Sequence, residues 1–207
     1  MIEHMMTLYS LHRFLTSTAC VLCLSLGTLV PAAAQNNKPS ANNDAKCPAV
    51  LQYTVDRLQD EKPQNLCQYT GQVVLVVNTA SFCGFTPQYK SLEELYARYK
   101  DKGLVVLGFP SNDFSQEPGN NQKIADFCEN TYGVKFPMFS KTTVRGADAS
   151  PLFKQLTQLT DTAPKWNFYK YLISRDGKQV KSYNSTTDPL DSKFLAELDK
   201  QLSAKTP

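Results

Sequence analysis

The sequence predicts an α/β fold, a central mixed β-sheet flanked by helices, from three observations. Two continuous apolar runs, residues 73–77 (Val-Val-Leu-Val-Val) and 104–109, have the length and composition of strands buried on both faces. Segments of helical period follow each of them. Near the C-terminus, Arg175-Asp176-Gly177-Lys178 joins two further strand candidates, and Asp-Gly is a strong hairpin signal.

In chain order, residues 52–55 form a short strand candidate. Tyr69-Thr70-Gly71 reads as a turn leading into the strand at 73–77. Residues 91–100 place Leu92, Leu95, Tyr96 and Tyr99 on one face, the pattern of an amphipathic helix ending near Gly103. After the second strand, residues 121–130 read as a helix with Ile124, Phe127 and Cys128 inward. Residues 133–164 are less regular, apart from a helix at 151–159. Strands at 169–173 and 179–183 form the hairpin, and a helix at 194–202 closes the chain. Strand, helix, strand, helix, hairpin and helix together give the mixed sheet.

The chain has 207 residues, 20% charged and 42% hydrophobic, which suits one globular domain. Its net charge of +3 is dispersed, and no Lys/Arg run points to nucleic acid. Residues 1–34 carry the marks of a secretory signal peptide: Arg13, an apolar stretch at 19–30, then Pro31-Ala32-Ala33-Ala34. That stretch is shorter than the roughly 20 residues of a membrane span, so stable membrane insertion is not expected. Cleavage is placed after Ala34. Cys20 stands only seven positions after Arg13, too close for a lipid-modified cysteine preceded by an apolar stretch. Residues 35–46 read as a disordered lead-in and 47–207 as the folded domain. Loss of Arg13 and Glu3 leaves the charge at +3, and the retained cysteines are Cys47, Cys67, Cys83 and Cys128. The expected location is outside the cytoplasm, periplasmic in a bacterium and otherwise secreted, where disulfides form.

Cys83 lies between the buried strand and the next helix. Backbone N–H groups left unpaired there, at the positive end of the helix dipole, favour the thiolate, which is the nucleophilic form. The alternative is a small buried hydrophobe, the usual state of a free cysteine.

Three segments carry a resemblance. Residues 77–86 (Val-Asn-Thr-Ala-Ser-Phe-Cys-Gly-Phe-Thr), 107–119 (Leu-Gly-Phe-Pro-Ser-Asn-Asp-Phe-Ser-Gln-Glu-Pro-Gly) and 165–168 (Lys-Trp-Asn-Phe) resemble, in order and spacing, the signature blocks of the glutathione peroxidase family. The similarity runs from about Tyr53 to Leu202. It implies a thioredoxin-like fold, reduction of hydroperoxides, and a cysteine-dependent enzyme rather than a selenium one. By the family pattern Cys83 attacks the peroxide and becomes a sulfenic acid, while Trp166 and Asn167 supply neutral N–H donors. The family's usual glutamine position is assigned to Asp113, between Asn112 and Phe114, and Gln116 to a different position. An ionised carboxylate beside Cys83 would oppose the thiolate. Asp113 therefore points away, is protonated, is replaced by a donor such as Asn112, or is an ordinary turn carboxylate. Cys128 is close to where many cysteine-type members carry a resolving cysteine. It either condenses with Cys83 or simply fills the inner face of its helix.

Cys47 and Cys67 fall outside the catalytic pattern, at the two ends of a 21-residue segment. A structural disulfide is the economical reading, and a second redox-active pair the alternative. His4 and His12 both fall within residues 1–34, so the domain has no histidine. That excludes a Cys–His protease mechanism and argues against zinc. No Gly-rich phosphate loop is present, and no cofactor is expected. The expected partners are a hydroperoxide substrate and a reductant, a thioredoxin-like protein or glutathione. The competing readings are an exported thioredoxin-fold thiol–disulfide oxidoreductase, which normally has a second cysteine where this chain has Thr86, and a peroxide sensor.

Overall fold

A computed structural model describes residues 47–204; the expected signal peptide (1–34) and the expected lead-in (35–46) lie outside the described residues. A two-stranded hairpin, β1 (Thr54–Asp56) with β2 (Pro63–Asn65), precedes the main sheet. The sheet contains β3 (Val73–Thr79), β4 (Leu104–Pro110), β5 (Lys170–Ile173) and β6 (Val180–Tyr183) in the order β4-β3-β5-β6. β3 and β4 run parallel, and β5 and β6 are antiparallel additions. Helices α1 (Gln88–Tyr99), α2 (Asn121–Tyr132), α3 (Pro151–Thr160) and α4 (Ser192–Ser203) complete the fold.

Alternation along β3 divides the core. Val73, Leu75 and Val77 face one apolar cluster with Leu92 and Leu95 of α1, Ile124 and Cys128 of α2, and Phe194 and Leu198 of α4. Val74 and Val76 face the other, with Leu152, Phe153 and Leu156 of α3 and with Val50 and Leu51. Every residue of β3 and β4 is buried, as unbroken apolar runs require.

Several expected boundaries move. β3 runs two residues past Val77 because Asn78 and Thr79 pair with Phe109 and Pro110 of β4. α1 begins at Gln88, three residues before the first turn read from periodicity, directly after Pro87. The strand expected at 52–55 is displaced to β1, and its partner β2 lacks apolar alternation altogether. α2 ends at Gly133, whose left-handed φ of 62° terminates it.

Cys47 and Cys67 are joined by a disulfide with Cα atoms 5.3 Å apart. The bridge ties the turn at Ala49–Leu51 to the one at Leu66–Tyr69. Cys47 packs against the α3-side cluster, whereas Cys83 and Cys128 belong to the opposite one. A relay of electrons between the two pairs would have to cross the sheet. Replacing both Cys47 and Cys67 by serine should cost about 3 kcal/mol, a fall of roughly 10 °C in the thermal midpoint, without loss of turnover. Calorimetry beside a rate assay checks this; a large fall in rate at a temperature where the variant is folded would give the bridge a redox role.

Candidate active site

The loop leaving β3 owes its shape to Thr86. The Thr86 hydroxyl accepts the Cys83 N–H at 3.0 Å and donates to the Ala80 carbonyl at 3.0 Å, while the Thr86 N–H donates to the Cys83 carbonyl. This turn closes the segment just ahead of α1 and presents Cys83 at its rim, 8% exposed. The Phe85 N–H donates to Cys83 Sγ at 3.4 Å. Position 86, where a disulfide exchanger has its second thiol, thus holds the loop together instead.

Two segments bracket this loop. In the one following β4, the Gln116 carbonyl accepts the Phe82 N–H at 3.1 Å, and Gln116 Oε1 accepts from Asn167 Nδ2 at 2.9 Å. Gln116 therefore connects the neighbour of Cys83 to the Trp166–Asn167 segment. Asn167 is fully buried, and its second Nδ2 hydrogen is left to donate. Trp166 is 40% exposed and packs on Phe114 with ring centroids 5.3 Å apart. Asn78, at the end of β3, fixes this third segment. Its side chain donates to the Trp166 carbonyl at 3.1 Å and accepts the Tyr169 N–H at 3.0 Å, and its carbonyl accepts the Phe168 N–H at 2.7 Å.

Of the alternatives open for Asp113, its contacts fit an ordinary anchoring carboxylate. Its carboxylate accepts the backbone N–H groups of Val144 (2.7 Å) and Arg145 (3.2 Å), so it anchors a distant loop. The side chain bonded to Asn167 belongs to Gln116. Between them Ser115 has a left-handed φ of 56°, which turns the chain back after Phe114. Asn112 Oδ1 accepts the Glu117 N–H.

Glu117 is buried beneath the loop, accepting from the Ser81 N–H at 2.7 Å and the Ser81 hydroxyl at 2.8 Å. Burial raises its carboxyl, and the Ser81 bonds oppose the rise. A cleft of about 300 Å³ opens beside it, lined by Phe82, Pro118, Ile124 and Phe127, with Lys123 among the lining residues. Phe82 is 67% exposed, with its ring 6.4 Å from that of Phe127.

Cys128 shares the Cys83 side of the sheet, and neither is in a disulfide. It lies on the inner face of α2 with its Sγ 3.5 Å from the Tyr89 hydroxyl. Burial pushes its thiol up to about 11, so near neutral pH it is protonated and a poor nucleophile where it sits. Among the described residues no cluster of His, Cys, Asp and Glu has the make-up of a metal site, and no helix is long and apolar enough to cross a membrane.

Sequence reasoning missed Gln116, Asn78 and Thr86. Asn78 stands out in retrospect as an amide inside an otherwise apolar strand, a buried polar group that must find partners.

Comparison with known proteins places the family. The family model described as glutathione peroxidase matches residues 50–157. The glutathione peroxidase homolog BsaA of Halalkalibacterium halodurans is 51% identical over 142 residues, 66% of this chain and 90% of that protein. The hydroperoxy fatty acid reductase gpx1 of Synechocystis is 47% identical over 154 residues, covering 69% of this chain and 90% of that one. The crystal structure of Trgpx in apo form superposes with a TM-score of 0.62 at 38% identity, over 76% of this chain and 97% of that one. With its thioredoxin-like fold and this cysteine loop, the chain belongs to the glutathione peroxidase family.

Proposed function

We propose that this protein is a thiol-dependent peroxidase that reduces hydrogen peroxide and organic hydroperoxides through Cys83, outside the cytoplasm. The observation that carries the reading is the setting of Cys83: at the rim of a closed turn its Sγ accepts the Phe85 N–H, and Gln116 links the neighbouring Phe82 to Asn167. The thiolate attacks one peroxide oxygen: an S–O bond forms, the O–O bond breaks, and its electron pair leaves with the second oxygen, which takes a proton to become water or an alcohol. Cys83 is oxidised to the sulfenic acid. The neutral N–H groups of Asn167 and Trp166 stabilise the developing charge without competing as nucleophiles, and Gln116 orients Asn167.

Cys128 then attacks the sulfenic sulfur, expelling water and leaving a Cys83–Cys128 disulfide. Because Cys128 is buried and protonated, this step requires a local opening of α2. A thioredoxin-like dithiol, or glutathione, reduces the disulfide and restores both thiols. The name of the Synechocystis relative, and the apolar cleft lined by Phe82, the neighbour of Cys83, support acceptance of fatty acyl hydroperoxides. The signal-like residues 1–34 and the Cys47–Cys67 bridge support export.

Cys128→Ser tests the resolving step. One equivalent of peroxide should still oxidise Cys83 at a rate within about twofold of wild type, but no intramolecular disulfide should form and turnover with a thioredoxin-type donor should fall at least about tenfold. Non-reducing peptide mapping and a coupled assay read both. Unchanged turnover would remove Cys128 from the cycle.

A further inference from the structure

Lys170 is a lysine in the wrong place for an ordinary one. It lies on β5 opposite Val77, on the Cys83 side of the sheet, and is fully buried. Among the described residues it makes no ion pair. Buried lysines are rare because desolvating the ammonium is costly, so one with no ion-pair partner calls for a reason. Among the described residues its Nζ donates to two acceptors, Gln88 Oε1 at 2.7 Å and the Phe168 carbonyl at 2.7 Å. Gln88 opens α1, directly behind the Cys83 turn, and is itself tied to the Ser185 carbonyl at 2.7 Å. Phe168 follows Asn167 and has a left-handed φ of 61°.

That backbone conformation costs a bulky residue on the order of 1–3 kcal/mol and persists only where surrounding bonds over-determine it. Here the Asn78 carbonyl holds the Phe168 N–H and Lys170 holds the Phe168 carbonyl. The turn so fixed carries Trp166 and Asn167. We infer that Lys170 is a positioning residue for the peroxide reaction, a clamp that fastens the start of α1 to the strained Phe168 turn and so keeps Trp166 and Asn167 in register with Cys83. The inference rests on the function proposed above and adds a residue to it. Burial brings the Lys170 ammonium down to about 7, opposed at longer range by Asp188 and Asp191. The clamp tolerates loss of that proton, since a neutral amine keeps two N–H donors for the two acceptors.

The test is Lys170→Met in the full protein, read three ways. Oxidation of Cys83 by hydrogen peroxide, followed by stopped flow, should slow about 10- to 100-fold, the scale of a misplacement near 1 Å. Alkylation of Cys83 by iodoacetamide in a Cys128→Ser background needs the thiolate but not the Trp166–Asn167 segment, so it should change less than about threefold. Acrylamide quenching of Trp166, the only tryptophan in the chain, should increase as its turn loosens. In an Asn167→Ala background the same substitution should slow peroxide oxidation by less than about threefold, because residues acting through one another do not add. A peroxide rate within about twofold of wild type, or an equal loss in both backgrounds, overturns the clamp. Should Lys170→Met not fold, Gln88→Leu, which removes one of the two acceptors, must slow peroxide oxidation at least about threefold while sparing alkylation, and an unchanged rate overturns the proposal. A wild-type protein with no fast peroxide phase would sink the peroxidase reading itself; the quenching comparison still decides the clamp, and unaltered quenching overturns it.

Discussion

Serine at position 83 should leave a folded protein that no longer reduces peroxide. A hydroxyl is not ionised near neutral pH and forms no sulfenic acid, so the change removes the step itself. The rate of peroxide consumption should fall at least about a thousandfold, as when other covalent nucleophiles are deleted. The fold should not suffer. Serine is close to isosteric, its oxygen can take the Phe85 N–H, and the Thr86 bonds to residues 80 and 83 use only backbone. Stopped-flow peroxide consumption with an excess of reductant measures the loss, and circular dichroism with a thermal scan checks the fold. A folded Cys83→Ser protein retaining more than about a tenth of wild-type activity would move the nucleophile elsewhere.

The second large effect separates Gln116 and Asn167 from Asp113. Asn167→Ala deletes a preorganised N–H donor and should slow Cys83 oxidation on the order of a hundredfold. Gln116→Ala should act in the same direction by about tenfold, since it withdraws the acceptor that orients Asn167. Asp113→Ala should leave the rate within about threefold of wild type and cost about 1–3 kcal/mol of stability, because the Val144 and Arg145 N–H groups lose their acceptor. Single-turnover kinetics and urea denaturation of the three variants provide the comparison. A hundredfold rate loss in Asp113→Ala with stability unchanged would restore the carboxylate to the chemistry and demote Gln116.

That contrast shows where the sequence could be read and where it could not. β3 and β4 are visible because a strand buried on both faces leaves an unbroken apolar run, and α1 and α4 because one-sided burial imposes a helical period. Cys83 is visible because it falls where such a run meets a helix. The β1–β2 hairpin is obscure because Pro-Gln-Asn carries no period, its pairing being set by backbone alone. The bond of Gln116 to Asn167 is obscure for a different reason. Counting along the chain from Asn112 takes no account of the left-handed residue Ser115, and one reversed dihedral decides which side chain turns toward Asn167. Lys170 is the extreme case. Inside a strand it resembles an edge residue pointing to solvent, and only the assembled sheet shows that its ammonium is enclosed.

The sheet also sorts the sulfur. Among the described residues its α3 side holds the cystine, and its α1 and α2 side holds the thiols Cys83 and Cys128, with a layer of β3 valines and a leucine as partition. On the cycle proposed above, oxidation and repair fall on one wall of the molecule while the brace stands on the other.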